Sequence, residues 1–545
     1  MGLAESRPRS SFSSPRVRFT PLKNESASSY SCNEISMESM EVSGVHLRDK
    51  AAANDDDDLS SEEEDDSKEH LTSDIISESD EAPPLLSRWR LVVLNIGWFG
   101  TFYMYLFLSL QIVPAQLRAF VGDGAKAKDL GFLVAGGGLL TLLVSPAVGL
   151  ASDRLRFRYG RRRPFMVVGT GLVILFLLGC ALVGPHDESV LESNVNKESN
   201  KTECYNAHAL MKRRCNFSDD SVTTKDYHSG KLGLYITFYL LGMGSYTCAT
   251  MPYSGLVADM THPSLRGFAS GVMGALQLLG SLFAAVTGAF VPDIGFVWAF
   301  VIIMLVFGGS MGISVFSVTE RKILTTPPKL KFTTVLAAYV EPLKNWDFFW
   351  VFFTRFLMQM GVGTALGFLQ YWVEDMIVLP KYGGSCMSPI TAVSILFLPL
   401  LIVAAIFSVL GGIASDKLKR RKVLVITAAF SMAVGAGLAA GLPYFVVAAI
   451  TAVLFGAGFG TYLSVDFALL MDVLKNKQDH AKDIAVWHQA LVLPQTFATL
   501  IGGLVVSTLN HSSCEHGLGY IVLFILTALY FFLSALFVTC IKKVR

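Results

Sequence analysis

The sequence carries little charge for its length. Asp, Glu, Lys and Arg make up 16% of 545 residues, against 52% hydrophobic residues and a mean hydropathy of +0.48. A water-soluble chain of this size divides into several domains and covers them with more charge. A multi-span membrane protein is therefore expected. Also missing are a nucleophile elbow, a metal-ligand spacing and a phosphate-binding glycine loop. Those absences argue against an enzyme, a metal site and an ATP-driven pump, and no cofactor is expected. A net charge of +1 offers little to nucleic acid. The polar first 85 residues hold no secretory signal.

What is present falls into two zones. Residues 1–88 are rich in Ser, Arg, Asp and Glu and have too little apolar surface to offset ordering entropy, so a disordered cytosolic tail is expected. Its acidic runs are Asp55–Asp58 and Glu62–Asp66, and Ser60 and Ser61 beside them suit an acid-directed kinase. The stretch Glu81-Ala-Pro-Pro-Leu85-Leu86 resembles the acidic dileucine signal read by clathrin adaptors, which would then be partners of the tail.

Beyond the tail, apolar runs recur near 91–113, 131–151, 165–184, 232–257, 268–291, 296–318, 348–372, 390–413, 423–441, 445–471, 484–508 and 518–541. At about 1.5 Å per residue, each is long enough to cross a hydrocarbon core of about 30 Å. Twelve transmembrane helices in lipid are expected, an all-α membrane fold. The short loops 152–164, 319–347 and 415–422 and the C-terminal basic residues carry the Lys and Arg excess, which puts them and both termini in the cytosol.

Two further signals agree with that orientation. The glycosylation sequons at Asn200, Asn216 and Asn510 fall in loops assigned to the other side. So do Cys204, Cys215, Cys386 and Cys514, in an oxidising compartment. Four cysteines allow three pairings. The favoured one is Cys204–Cys215 within one loop and Cys386–Cys514 between two loops. Cys32, Cys180, Cys248 and Cys540 are expected to be free thiols.

The loop after the second run reads Gly149-Leu-Ala-Ser-Asp153-Arg154, then, after an insertion, Gly160-Arg161-Arg162-Arg163. After the eighth run an echo reads Gly412-Ile-Ala-Ser-Asp416-Lys417-Leu-Lys419-Arg420-Arg421. Twelve runs with this loop at both places resemble the major facilitator superfamily from about residue 90 to the C-terminus. The resemblance implies two six-helix halves, 89–318 and 348–545, joined by a cytosolic linker, 319–347. It also implies a central cavity lined by spans 1, 4, 7 and 10. A finer likeness, to the glycoside–cation and sucrose–proton symporters, lies in Pro252 to Asp259 with Arg266-Gly267, in Phe368 to Trp372, and in Lys482 to His488 with Pro494-Gln495 and Gly502-Gly503. The acid that such symporters often carry midway along span 1 or 4 is absent here.

Charge at bilayer depth costs about 2.5–3.5 kcal/mol on insertion scales, so it must face a cavity and meet a partner. Arg355 in span 7 and Asp466 in span 10 both lie about 10 Å from the cytosolic face. They are expected to pair, with protonation of Asp466 as a coupling event; a static structural pair, or an arginine snorkelling to the headgroups, is the alternative. Glu374 and Asp375, at the outer end of span 7, read as solvated. His488 reads as a structural histidine. Amides and aromatic rings suit an uncharged polar solute, through directional hydrogen bonds and ring stacking. The candidates are Asn95, Gln111, Gln277, Gln359, Gln370, Tyr371 and Trp372.

The basic loops are expected to act in gating. Asp153 is expected near the cytosolic start of span 11, around Ile484, with Arg154, Arg161 and Arg162 reaching Asp259. Asp416 is expected near the start of span 5, with Lys417 to Arg421, Arg420 among them, facing Asp472. The expected function is secondary active transport of a small polar organic solute, with a sugar and a proton as the leading pair implied by the resemblance. The plasma membrane or an endolysosomal or vacuolar membrane is the expected site. The rivals are a uniporter or exporter of another organic solute, and a non-transporting sensor or scaffold that uses the acidic tail.

Overall fold

A hydrocarbon core offers no water to backbone N–H and C=O groups, so each spanning segment must satisfy its own hydrogen bonds as a helix. The computed structural model follows that rule. It describes residues 86–542 apart from 156, 158, 186–194, 197–202, 205, 216–228, 321–340, 383–384 and 475–479. The acidic tail, Glu81, Leu85, Asn200 and Asn216 lie outside the described residues; Leu86 is half-buried at their start.

In chain order the helices are α1 (Arg88–Asn95), α2 (Gly97–Phe107), a π-helical turn (Leu108–Ile112), α3 (Val113–Arg154), α4 (Arg163–Val183), the short α5 (Ala207–Cys215), α6 (Ser229–Met260), α7 (Arg266–Ala289) and α8 (Val291–Ser317). They continue as α9 (Trp346–Gly367), α10 (Leu369–Met376), α11 (Pro389–Leu418), α12 (Arg421–Gly441), α13 (Phe445–Val473), α14 (His480–Ser512) and α15 (Leu518–Val538). Two small hairpins accompany them: β1 (Val195–Asn196) pairs antiparallel with β2 (Glu203–Cys204), and β3 (Lys381–Tyr382) with β4 (Ser385–Cys386).

Local chemistry sets several of these ends. The Ser87 hydroxyl accepts from the Arg90 N–H at the start of α1, and Ser388 does the same for Thr391 ahead of Pro389 in α11. Pro164, Pro292 and Pro389 all sit in first turns, where the missing N–H costs nothing.

Among the described residues, ten helical stretches are long and apolar enough to cross a membrane. One of them, 88–149, covers 62 residues, about 93 Å if it were straight and three times the core thickness. It is broken at Gly122, whose φ of 73° is a conformation that suits glycine. The sequence reading placed a loop at 114–130; the chain instead stays helical on both sides of this one residue. The expected span 348–372 also differs, because α9 stops at Gly367 and α10 starts anew after Phe368.

Helices α1–α4 and α6–α8 pack chiefly on one another, as do α9 and α11–α15. The broadest contacts between these two groups are α3 against α14 and α7 against α11. The first of these seams is close because Gly131 faces Gly503: a Cβ on Gly131 would lie 2.7 Å from the Thr499 carbonyl oxygen. Outward faces keep large apolar side chains, such as Leu143, Leu305, Phe316, Val409 and Val446, where lipid covers them.

The favoured cysteine pairing is wrong. Cys215, at the end of α5, bonds to Cys514, in the loop between α14 and α15, across 299 residues. Neither Cys204–Cys215 nor Cys386–Cys514 can then form, although Cys386 is itself disulfide-bonded. Loop proximity in sequence was a poor guide because α5 packs on α10, which itself packs most on α11 of the other helix group. Cys180, Cys248 and Cys540 are free. Digestion of the non-reduced protein should yield one linked pair of peptides containing Cys215 and Cys514. Recovery of Cys386 linked to Cys514 would contradict the structure.

Candidate functional site

The end of the helix bundle that carries the disulfide is closed by charge. Lys126 on α3 is 2% exposed, and its ammonium donates to Asp123 at 2.9 Å and to Asp375 at 2.7 Å, with Glu374 at 3.5 Å. Arg118 pairs with Asp123 at 2.8 Å and with Glu374. Tyr520 on α15 donates to the second Asp375 oxygen at 2.5 Å. The Tyr371 ring lies 5.0 Å from the Lys126 ammonium, and its hydroxyl donates to the Pro114 carbonyl at 2.9 Å. This network joins α3 of one helix group to α10 and α15 of the other. Glu374 and Asp375 are thus buried and paired, which corrects the expectation of solvated acids.

At the opposite end the described ion pairs each stay within one group. Arg161 and Arg162 meet Asp259 at 2.6 and 3.2 Å. Glu320 accepts from the backbone N–H of Arg162 at 3.0 Å and lies 3.7 Å from the Arg161 guanidinium. Arg421 pairs with Asp472 and donates to the Ala468 carbonyl at 2.7 Å. Lys417 and Arg420, expected in that role, are exposed. The side chains of Asp153, Arg154, Asp416 and His488 lie outside the described residues.

Between the two ends, the hydroxyl of Tyr105 in α2 donates to Gln495 Oε1 in α14 at 3.2 Å. Both residues lie near the middle of their spans, and Tyr105 keeps 37% of its surface open. Nearby, the π-helical turn widens the ladder at Gln111, a distortion that recurs at functional sites. Gln111 Nε2 donates to Ser394 on α11 at 3.2 Å, and the Gln370 amide nitrogen donates to the Leu110 and Gln111 carbonyls at 2.8 and 3.0 Å. Asn95 Oδ1 and Gln111 Oε1 are buried without a hydrogen-bond partner among the described residues.

Arg355 and Asp466 pair, at 6% and 3% exposure. The Arg355 guanidinium carbon also sits 3.6 Å from the centroid of the Trp487 ring. Tyr462, one turn before Asp466 on α13, is buried beside them, and Gln359 is buried one turn after Arg355 on α9.

The expected solute-contacting residues therefore divide. Gln111 and Gln370 come together at the π turn. Asn95 caps its own turn by donating to the Leu91 carbonyl at 2.8 Å. Gln277 is half-buried on α7. Tyr371 belongs to the charge network, and Trp372 packs on Phe524 at 4.8 Å in an apolar pocket with Leu400 and Phe455. Neither ring is offered to a polar solute in this arrangement. Asn510 is also unsuited to its expected modification here: it is 9% exposed and its Oδ1 accepts from the Gly519 N–H at 2.8 Å. Sequence reasoning missed Tyr105, Gln495, Trp487, Lys126, Arg118 and Glu320. An unassigned cation such as Lys126, set between apolar runs, was the one available signal that buried acids needed a partner.

The family model of the Major Facilitator Superfamily matches residues 97–477 and 376–545. The chain belongs to the Major Facilitator Superfamily. Among solved members, a D-xylose-proton symporter aligns over 84% of this chain and 97% of its own with a TM-score of 0.56 and 18% identity. The nucleoside transporter NupG aligns over 84% and 99% with a TM-score of 0.55 and 11% identity. Identities this low show the shared fold alone. The "Membrane-associated transporter protein" of Mus musculus is 35% identical over 99 residues, and its counterpart in Homo sapiens 31% over 100 residues. These matches span 18% of this chain and 17% and 18% of those relatives.

For a member of this superfamily, a buried charge network between two helix groups is a barrier to their separation. Replacing Lys126 by Met leaves Asp375 and Glu374 with too little positive charge, a defect that costs about 3–5 kcal/mol when a buried pair is broken. The Lys126→Met variant should unfold at a lower temperature in detergent, and adding Asp375→Asn should recover part of the loss. An unchanged melting temperature would contradict the network.

Proposed function

We propose that the chain is a secondary transporter that moves a small polar organic solute by alternating access, with a sugar and a proton as the leading pair. The observation that carries the coupling is the buried Arg355–Asp466 pair. A carboxylate held at membrane depth by one arginine is a group whose charge can be switched by a proton, and the pair's strength then follows. The solute is held at the middle of the bundle by Tyr105 and Gln495, with the amides of Gln111 and Gln370 and the Ser394 hydroxyl beside them. Hydroxyls and amides in that number suit the hydroxyls of a sugar. That one solved member is a D-xylose-proton symporter supports this reading.

The topology in this proposal has twelve spans. The ten apolar stretches give eleven when 88–149 is divided at Gly122, and α6 supplies the twelfth. Both termini and the arginine-rich loops face the cytosol, in two halves hinged across 319–347. The disulfide and the Lys126 network then mark the outer or lumenal side, and their closure makes this an inward-facing arrangement. Arg161 and Arg162 with Asp259, and Arg421 with Asp472, brace the inner ends of their own halves. Asp153 and Asp416 engage the facing half when the inner side closes. Asn200 and Asn216 carry glycans, and Glu81, Leu85 and Leu86 sort the protein to the plasma membrane or an endolysosomal or vacuolar membrane.

Uptake of radiolabelled sucrose, measured at two external pH values with a protonophore control, tests the proposal. Uptake by the unaltered chain should be faster at the acidic pH and fall with the protonophore, and Asp466→Asn should remove the pH dependence. Retained pH-dependent uptake in Asp466→Asn would end the coupling role.

A further inference from the structure

We infer that Trp487 is the positioning residue that lets Asp466 take up a proton, by holding the Arg355 cation when its carboxylate partner becomes neutral. The inference rests on the coupling role proposed for Asp466. Its grounds are geometric. Arg355 is buried on α9 between two neighbours of different kinds: the Asp466 carboxylate on α13 and the face of the Trp487 indole on α14. The guanidinium carbon lies 3.6 Å from the ring centroid, face-on contact at van der Waals distance. Arg355 Nε has no hydrogen-bond partner among the described residues, and the Asp466 carboxylate and the Trp487 ring lie on the guanidinium itself.

The step balances simply. A proton adds to one Asp466 carboxylate oxygen, the ion pair with Arg355 is lost, and the pair's net charge rises from zero to one. In a site of low dielectric that uncompensated cation would oppose protonation. The indole face attracts a full cation more than one already neutralised by a carboxylate, because the ring quadrupole responds to net charge. Trp487 therefore favours the protonated state over the ionised one and raises the pH at which the site loads. The groups facing Asp466 are Arg355 from α9 and Tyr462 from its own helix, buried and one turn earlier. From α14 it is Trp487, with Asp483 one turn further toward the helix start. Only Arg355 among these carries a permanent charge in contact with it.

The sign of the effect is fixed by this argument. Removing the ring penalises the protonated state, so loading needs more protons and the uptake profile moves to lower pH. Sucrose uptake is measured across a pH series in the unaltered chain, in Trp487→Leu and in Trp487→Phe. The expected midpoint shift is about one pH unit downward in Trp487→Leu, a tenfold change in proton concentration. Trp487→Phe keeps a ring face and should shift by less than half as much, with near-normal uptake at the acidic limit. If uptake falls equally at every pH with an unmoved midpoint, Trp487 is only structural and the inference is overturned. If the unaltered chain shows no pH dependence, the coupling reading itself fails and takes the inference with it. Should Trp487→Leu not reach the membrane, thermal unfolding decides. Asp466→Asn mimics the neutral acid, so combining it with Trp487→Phe should cost more melting temperature than the two single losses together. Additive losses would overturn the inference.

Discussion

A charge cannot rest alone in hydrocarbon, and the arrangement of this bundle follows from that constraint. The apolar helices tolerate many packings, since lipid tails cover their outer faces as well as a neighbouring helix does. The ionised side chains tolerate few. Arg118, Asp123, Lys126, Glu374 and Asp375 meet in one network that joins the two helix groups, while Arg355 and Asp466 meet inside the second. Both sets are buried, yet they differ in number of partners. Among the described residues, Lys126 has three carboxylates around it, so losing one leaves others; Arg355 has one carboxylate and an indole face. The crowded set suits a closure that holds, and the sparse set suits a charge that switches.

Close backbone approach is the second determinant. Gly131 and Gly503 bring α3 and α14 together, and Gly456 and Gly460 lie against the backbone of Leu400 and Ala404 where α11 meets α13. Such contacts let helices slide or rock with little side-chain rearrangement, because few side chains interlock there.

Much of the fold was legible in the sequence because hydropathy and loop charge are local. The apolar runs coincide with helices, and the turns at Pro292 to Gly295 and at Leu442 to Tyr444 fall where helices break or end. The pairing of Arg355 with Asp466 was legible too, from the cost of charge at depth and from the family resemblance. The remainder was not, because it depends on which distant segments meet. Glu374 reads as a solvated helix end until Arg118, far away in sequence, is placed against it. Trp372 reads as a solute-stacking ring until Phe524 covers it. Gln495 reads only as part of the symporter likeness until Tyr105 reaches it across the bundle. Each of these errors came from judging a side chain by its own helix.

The bond between Cys215 and Cys514 has a mechanical consequence. Helix α5 is encoded within the first helix group, yet it is fastened to the second by a covalent bond and by its packing on α10. About fourteen residues lead from Cys215 to the start of α6, a contour length of up to about 50 Å. The bond is therefore a leash of finite length. It sets a ceiling on how far the two groups can separate, and α5 stays with the body it does not belong to in sequence. Shortening that leash residue by residue would convert a passive restraint into a stop whose position is chosen by chain length.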